Sequence, residues 1–250
     1  MHFDWPYFWS QLVTPSSAFL VGLGLTVSMA LAAEIIGIVL GLVFAEMRLS
    51  RRRLPRYIAS LYIWAVRGTP LLVQIVFIYT GLAAAGIMRF QDWTLGPLTI
   101  PGNLQAGILA LGLHEGAYMA EIFRAGILAV DKGQLEAAKS LGMPPMMMMR
   151  HVVLPQALRV VLLPIGNQFN ILLKNTTLVS VIGVSEMLLV TETINSATFR
   201  TFELYSVLGI YFLLLTSAWT VFMGWAERRL TLGRKTAAFV VPAIAREAES

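Results

Sequence analysis

Long apolar segments alternate with short polar ones along the chain, and this alternation predicts membrane-spanning helices. Five segments are apolar over roughly the 20 residues that a helix needs to cross the hydrocarbon core of a bilayer. We predict spans at about 19–45, 58–82, 104–128, 157–173 and 204–225. The pattern therefore predicts an all-α integral membrane protein with about five transmembrane helices.

The stretch 131–155 is a polar interval between two predicted spans, and it carries the signals of two short helices. Asp131 is a suitable N-cap for the first helix, and Gly142 can adopt the left-handed conformation that ends it. The pair Pro144-Pro145 suits the opening turn of a second helix. Pro155 is expected to end that helix and to open the next. Two short helices between spans form a docking elbow, so this loop predicts a partner protein.

Two other stretches fit neither a span nor a simple connection. Residues 91–102 contain aromatic and proline residues and are predicted to form an exterior loop. Residues 175–200 are too polar for a lipid-facing span. We expect them to form a re-entrant or exterior segment that is covered by protein or water.

Composition supports a membrane protein independently of the span pattern. The chain is 57% hydrophobic and 13% charged, against about 25% charged residues in ordinary soluble domains. This excludes most soluble folds and intrinsic disorder. The absence of cysteine excludes a disulfide framework and a cysteine-based metal site. A net charge of +5 could indicate nucleic acid binding, but the basic residues lie beside spans, as orientation signals do.

The distribution of Lys and Arg predicts the orientation in the membrane. Basic residues follow the first, third and fifth spans, namely Arg48, Arg51, Arg52, Arg53 and Arg56, then Lys132, Lys139 and Arg150, then Arg228, Arg229, Arg234 and Lys235. The positive-inside rule therefore places the amino terminus outside and the carboxyl terminus in the cytoplasm. The same rule makes the 131–155 loop cytoplasmic.

Several polar residues lie within the predicted spans. A charge near the centre of a span costs about 2.5–3.5 kcal/mol on insertion scales, so such residues usually face protein or water and often mark a pathway. The candidates are Glu34, Arg67, Gln74, His114, Glu115, Glu121, Asn167, Gln168, Asn170 and Glu203. Structural alternatives remain open, because Glu121 can pair with Arg124 on one helix face and amides often bond across helices in membranes.

Enzymatic and metal sites find no support in the sequence. His114-Glu115 begins a His-Glu-x-x-His motif, but Tyr118 occupies the position of the second histidine, so a zinc site fails. The chain has no Gly-x-x-x-x-Gly-Lys-Ser/Thr motif for nucleotide binding. We expect no metal, no cofactor and no enzymatic activity of the chain itself.

Four motifs in order resemble ABC-transporter permeases of the polar amino-acid uptake family, whose members carry histidine, glutamate, glutamine, arginine or opines. The 131–155 loop has that family's coupling spacing, with Glu-Ala-Ala at 136–138, then Gly142, then Val-x-Leu-Pro at 152–155. Segments 67–74, 117–124 and 173–178 resemble its second-, third- and fourth-span motifs. The resemblance covers roughly residues 19–230.

The resemblance implies the permease subunit of an ATP-driven importer for polar amino acids, working by alternating access in the bacterial inner membrane. It implies three kinds of partner: two ATP-binding subunits on the elbow, an identical or sister permease, and an extracytoplasmic solute-binding protein. The implied organisation is an extracytoplasmic segment (1–18), a transmembrane permease domain (19–230) and a cytoplasmic tail (231–250). The implied coupling residues are Glu136, Ala137, Ala138, Gly142, Leu154 and Pro155.

The substrate site is expected to involve Gln168, Glu203, Glu115 and Thr69. A carboxylate of Glu203 at the outer mouth of a cavity can pair with the α-amino group that all amino acids share. The amide of Gln168 offers both a donor and an acceptor, which suits an amide or carboxylate side chain. We therefore predict a preference for glutamine, glutamate or related polar amino acids over arginine or lysine.

Two other functional classes compete with this interpretation. An ion-coupled secondary transporter for a small polar solute would use Glu34 and Glu115 as proton or sodium sites. It would not explain the cytoplasmic elbow, and the sequence contains no repeated halves. An intramembrane hydrolase lacks a Ser-His or paired-Asp constellation.

Overall fold

A computed structural model describes residues 3–231 of the chain. In this range the chain is helical apart from an antiparallel hairpin of β1 (Trp93–Leu95) and β2 (Leu98–Ile100). The helices are α1 (Trp5–Val13), α2 (Ser17–Leu49), α3 (Arg53–Arg67), α4 (Leu71–Val76), α5 (Leu82–Ala84), α6 (Gly102–Leu128), α7 (Lys132–Ser140), α8 (Pro145–Met148), α9 (Leu154–Asn175), α10 (Met187–Thr198) and α11 (Thr201–Thr231). A π-helical turn, Phe77–Gly81, joins α4 to α5, a second, Met149–Val153, joins α8 to α9, and a 3₁₀ helix, Thr176–Ile182, extends α9.

The all-α membrane class is confirmed. Among the described residues, α2, the continuous stretch Pro145–Ile182 and Thr201–Arg229 are long and apolar enough to cross a membrane. Helix α3 and the stretch Leu71–Ala84 are long and apolar enough to cross a membrane only if they are taken as one span, and the chain bends by 106° between them. Helix α6 has 27 residues, about 40 Å of helix, and neighbouring helices cover much of it. The predicted count of five spans stays a prediction.

Helices α2 and α6 form the closest helix contact in the core, and they run parallel. Gly37 of α2 lies against Glu115 of α6, and Gly41, one turn later, lies against Met119. The contacts advance in the same direction along both helices, so both cross the membrane in the same sense. The intervening α3, α4 and α5 must therefore return the chain to the starting side.

Helix α9 runs antiparallel to α6, and α11 runs antiparallel to α9. Gly126 near the end of α6 lies against Val161 near the start of α9. On the other side of α9, Gly166 lies against Met223 of α11. The main core lies where α2, α4, α6 and α9 meet, and its fully buried side chains include Met29, Ile75, Leu111 and Leu172.

The two stretches that fitted neither a span nor a connection are ordered segments. The 91–102 stretch holds the β-hairpin, whose turn contains Gly96 at a φ of +60°. The 175–200 stretch forms the 3₁₀ helix and α10, whose first turn packs against Gly22 of α2. Glu186 caps α10 by accepting hydrogen bonds from the N–H groups of Leu188 and Leu189, both at 2.9 Å. The start of α10 is therefore covered by α2, whereas residues 196–199 at its end are exposed.

Pro155 lies in the first turn of α9, as predicted, but it does not end the second elbow helix, so that part of the prediction is wrong. Helix α8 continues through the π-helical turn Met149–Val153 into α9 as one helical stretch. A proline lacks an N–H and its ring clashes with the carbonyl four residues earlier. A π-helical turn directly before Pro155 locally changes the hydrogen-bond spacing, so the helix passes the proline without a break.

Candidate functional site

A polar pair lies buried where α6 meets α9. Glu115 is fully buried, and its Oε2 accepts a hydrogen bond from the side-chain amide of Gln168 at 3.3 Å. Gly37 of α2 makes room for it, because a Cβ there would lie 2.6 Å from Cγ of Glu115. Two of the four predicted substrate-binding residues are therefore in direct contact.

A second carboxyl group, that of Glu34, lies beside this pair. Glu34 precedes Gly37 by one turn of α2, and it is buried. Within the described part of the chain, neither carboxyl oxygen of Glu34 and only one of Glu115 has a hydrogen-bond partner. Buried polar groups are normally satisfied, so these oxygens retain unused bonding capacity in the interior of the helix bundle.

Thr69 joins the same region through a chain of side chains at the bend between α3 and α4. The amide nitrogen of Gln74 donates to Oγ1 of Thr69 at 2.9 Å and to the carbonyl of Val66 at 2.7 Å. The amide oxygen of Gln74 lies 3.1 Å from Nδ1 of His114, the residue before Glu115. The carbonyls freed by Pro70 are thus bonded by Gln74, and Thr69 is linked to the polar centre.

A cavity of about 400 Å³ opens beside Gln168, between α6, α9 and the end of α3. Its polar lining includes Arg67, Tyr118, Glu121 and Arg124. The guanidinium of Arg67 lies 5.0 Å from the centre of the Tyr118 ring. In the sequence, Tyr118 belongs to the 117–124 motif and breaks a zinc motif, but it was not predicted to belong to the substrate site. Its position three residues after Glu115, on the same helix face, was the available signal that it shares the site.

The predicted pairing of Glu121 with Arg124 is confirmed. Nη2 of Arg124 lies 2.7 Å from Oε2 of Glu121, and Nε of Arg48 lies 3.6 Å from Oε1. Arg48 also donates to the hydroxyl of Ser60 at 2.7 Å. Glu121 therefore ties the ends of α2 and α6 together at one edge of the cavity.

Glu203 lies apart from the other predicted substrate-binding residues. Met223 and Thr220 of α11 contact α9 near Gln168, whereas Glu203 precedes Thr220 by 17 residues, about 25 Å along a helix axis. Its Oε1 accepts the backbone N–H of Asp4 at 2.8 Å. The structure therefore does not bring Glu203 into the Glu115–Gln168 site.

The surroundings of Glu203 form a second polar cluster, at the junction of α1 and α11. Arg200 donates a hydrogen bond to Asp4 and lies over the Tyr7 ring, with Cζ 4.3 Å from the ring centre. The hydrogen bonds from Arg200 and from the Tyr7 N–H hold the pKa of Asp4 below its ordinary value. A cavity of about 750 Å³ beside them is lined by the polar residues Asp4, Arg200, Thr201 and Glu203 and by Phe3, Phe199 and Phe202.

The first helix of the elbow is built as its local signals predicted. The carboxylate of Asp131 caps α7 by accepting the N–H of Gly133 at 2.7 Å and of Gln134 at 3.3 Å. Gly142 has a φ of +72°, the left-handed conformation that terminates the helix. Leu141 directly before it, and Met146, Met147 and Met149 after it, have exposed apolar side chains.

The predicted coupling residues divide into exposed and buried positions. Glu136, Ala137, Gly142, Leu154 and Pro155 are exposed. Ala138 is 4% exposed and faces the protein's own interior. The exposed residues are thus available for an external contact, whereas Ala138 packs within the elbow.

Comparisons with known proteins place the chain among transport proteins. The family model for "Binding-protein-dependent transport system inner membrane component" matches residues 37–232. The glutamine transport system permease protein GlnP of Escherichia coli is 33% identical over 233 residues, which cover 93% of this chain and 100% of that protein. The histidine/lysine/arginine/ornithine transport system permease protein HisQ of the same species is 32% identical, covering 89% of this chain and 97% of HisQ.

Solved structures show the same fold. A crystal structure of an amino acid ABC transporter with histidines has a chain with a TM-score of 0.80 and 39% identity, covering 92% of this chain and 100% of that chain. The MetNI methionine ABC transporter shares the fold at 20% identity with a TM-score of 0.69. With the family model matching most of its length, the chain belongs to the family of binding-protein-dependent transport system inner membrane components.

Proposed function

We propose that this chain is the permease subunit of an importer for polar amino acids, powered by separate ATP-binding subunits. The observation that carries the proposal is one continuous helical stretch, Pro145–Ile182, which begins in the exposed elbow and contains Gln168 of the buried polar pair. About 35 Å of helix separates the two. A displacement of the elbow by a docked subunit would therefore move one wall of the polar site, as alternating access requires.

We propose that the elbow receives the ATP-binding subunits on the exposed residues Glu136, Ala137, Gly142, Leu154 and Pro155. Leu141 and Met146 are 82% and 79% exposed in an otherwise polar segment. Methionine suits such a surface because its flexible side chain fills irregular grooves. Two such subunits and a second permease, identical or sister, complete the assembly, with an extracytoplasmic binding protein delivering substrate.

The proposed orientation places the amino terminus outside and the elbow in the cytoplasm. It rests on the clusters of Arg and Lys after the ends of α2 and α6. Because α2 and α6 run parallel, both clusters lie on the same side of the membrane, which supports a single consistent assignment.

The proposed substrate site consists of Gln168, Glu115 and Thr69. Gln168 lines the 400 Å³ cavity and bonds to the fully buried Glu115 behind it. A ligand in the cavity would meet the amide first, and the carboxyl group once Gln168 turns aside. The carboxyl group suits the α-amino group of a substrate, and the amide suits an uncharged or acidic side chain. We propose glutamine, glutamate or related polar amino acids. A substrate contact by Glu203 would belong to the outer mouth, remote from Gln168.

Co-reconstitution tests the function as a whole. The chain is combined in vesicles with candidate ATP-binding subunits and binding proteins, and ATP hydrolysis is measured against a panel of amino acids. We expect glutamine or glutamate to stimulate hydrolysis. If hydrolysis with functional partner subunits stays at its basal rate for every amino acid, the proposal is wrong.

Competition uptake tests the substrate site separately. Gln168→Asp should shift preference towards cationic amino acids, because a buried unpaired carboxylate rejects a neutral or anionic side chain. The matched control is Asn170→Asp, since Asn170 bonds Thr220 of α11 at 3.2 Å rather than Glu115. A ranking of competitors that Gln168→Asp leaves unchanged would reject the site while leaving the permease function standing.

A further inference from the structure

Helix α3 packs one face on the protein. Ala59 and Ile63, one turn apart, are buried. The Tyr62 ring stacks on Phe44 with ring centres 4.0 Å apart, and its hydroxyl donates to the carbonyl of Leu113 at 2.5 Å. These contacts fix the rotation of α3 about its axis, and therefore fix which residues face outward.

The outward face of α3 is an apolar stripe. Leu54, Tyr57, Leu61 and Trp64 follow one another at intervals of three and four residues, so they share one side of the helix. They are 70%, 68%, 50% and 73% exposed. An apolar stripe of this size is unfavourable in water and marks a surface that another apolar medium covers.

Basic side chains cluster at the start of the same helix. Arg51, Arg52, Arg53 and Arg56 are exposed, and within the described residues none of the four pairs with a carboxylate. Arg48, by contrast, is already engaged by Ser60 and Glu121. Four free guanidinium groups beside an apolar stripe form a combined surface, which we name the α3 surface.

The bend after Arg67 sets how the α3 surface meets the membrane. Helix α3 is inclined by 106° to the stretch Leu71–Ala84, which runs inward to the main core at Leu71 and Ile75. Helix α2 crosses the membrane and ends at Leu49, just before the arginines. Helix α3 therefore begins near the membrane surface where α2 ends, and its axis departs sharply from that of the stretch that enters the core.

We propose that the α3 surface binds anionic phospholipids, with the apolar stripe against acyl chains and the arginines on phosphate-bearing headgroups. An amphipathic helix with an apolar face and a basic edge lies in the interfacial plane of a bilayer. Clusters of four or more basic residues beside a span recognise anionic headgroups, and guanidinium matches phosphate in a bidentate fashion. Neither the orientation of the chain nor its transport function enters this inference.

Trp64 provides a direct reporter of what covers the stripe. The full-length chain is reconstituted into vesicles of phosphatidylcholine and phosphatidylglycerol in which one lipid or the other carries brominated acyl chains, which quench tryptophan on contact. Subtracting the emission of a Trp64→Phe variant isolates the signal of Trp64 from that of the other tryptophans. Both leaflets hold the same lipids, so orientation does not affect the result.

We expect brominated phosphatidylglycerol to quench the Trp64 signal about twofold more than brominated phosphatidylcholine at equal mole fraction. The preference should fall as salt rises, because screening weakens exposed charge interactions. Replacing Arg51, Arg52, Arg53 and Arg56 with Gln should abolish it. Lys132→Gln with Lys139→Gln, which removes charge from the elbow, should leave it intact.

Two results would overturn the inference. Equal quenching by both lipids would mean that the stripe lies in lipid without selecting anionic headgroups. An unquenched Trp64 signal in both mixtures would mean that protein covers the stripe, either a second copy of the chain in the vesicles or another segment of the same chain.

Discussion

The α2–α6 contact and the elbow are built on opposite principles. In the α2–α6 contact, Gly37 and Gly41 let the helices approach so closely that any side chain there would meet Glu115 or Met119. In the elbow, a Cβ added at Gly142 would meet nothing within 4 Å. The first contact is complete within one chain. The elbow, in contrast, exposes apolar side chains that the rest of the described chain does not cover.

This difference in packing indicates which parts of the molecule can move relative to one another. Close packing transmits strain and resists deformation, so α2 and α6 form a unit that should move as one body. The elbow has few internal contacts, but it continues into the helix that carries Gln168. Changes in the α2–α6 contact should therefore harm folding, whereas changes on the exposed elbow should harm coupling.

The largest expected effect is the loss of folding in Gly41→Leu. A Cβ at Gly41 would meet Cβ of Met119 and lie 3.0 Å from its carbonyl carbon, so the helices must separate. Overpacking costs about 1–3 kcal/mol and sometimes more. Gly24→Leu in the same helix is the control, since a Cβ there meets nothing within 4 Å. The midpoint temperature of thermal unfolding in detergent should fall in Gly41→Leu and stay unchanged in Gly24→Leu. Equal midpoints in the two variants would show that the α2–α6 contact is not closely packed at Gly41.

The next effect is the loss of transport in Gly142→Arg with normal membrane insertion. A φ of +72° is unfavourable for residues with a side chain, by about 1–2 kcal/mol, and the side chain would enter the docking surface. Gly142→Asn is the control, because asparagine tolerates the left-handed conformation. Transport and membrane abundance are measured together. Normal transport by an inserted Gly142→Arg protein would contradict the coupling role.

Two neighbouring alanines, one buried and one exposed, allow packing and docking to be tested separately within the elbow. Ala138→Asp should unfold α7 locally, because it buries a carboxylate without a partner. Ala137→Asp leaves an exposed position exposed and should weaken only the binding of the ATP-binding subunit. Limited proteolysis reports the first effect, and co-purification of the subunit reports the second. Equal protease sensitivity in both variants would show that burial does not separate them.

The smallest effect is expected at the junction of α1 and α11. Because the pKa of Asp4 is held below its ordinary value, its contribution is complete above that ordinary value and is lost as pH falls through the lowered pKa. Arg200→Gln should weaken the attachment of α1 and reduce its pH dependence. The measurement is the protection of a cysteine introduced at the buried Phe8 from an activated disulfide reagent that reacts with thiols at acid pH, between pH 3 and 6. A pH profile that Arg200→Gln leaves unchanged would contradict the role of this hydrogen bond.

Local signals in the sequence predicted the elbow well. Asp131 as an N-cap and Gly142 in the left-handed conformation depend on short-range geometry that residue type determines. The end at Pro155 was wrong, because a π-helical turn accommodates the proline. Residue type alone does not indicate whether a chain will adjust its hydrogen-bond spacing in this way.

Tertiary relations in the site were only partly predictable. Polar residues in apolar spans indicated Glu115 and Gln168 separately, and their contact depends on the antiparallel register of α6 and α9. Glu203 was expected at the same cavity, but the length of α11 keeps it remote. Tyr118 was missed because an aromatic residue in a span has no distinctive pattern until its neighbours are known.

The most direct test of the central claim is the energy source of uptake. Vesicles containing the chain, a candidate ATP-binding subunit and a binding protein are loaded with ATP or left empty, and entry of labelled glutamine is followed with and without an imposed proton or sodium gradient. We predict that uptake requires both ATP and the binding protein. We also predict that uptake continues unchanged when ionophores collapse the ion gradients. Uptake that an ion gradient drives in the absence of ATP would contradict it.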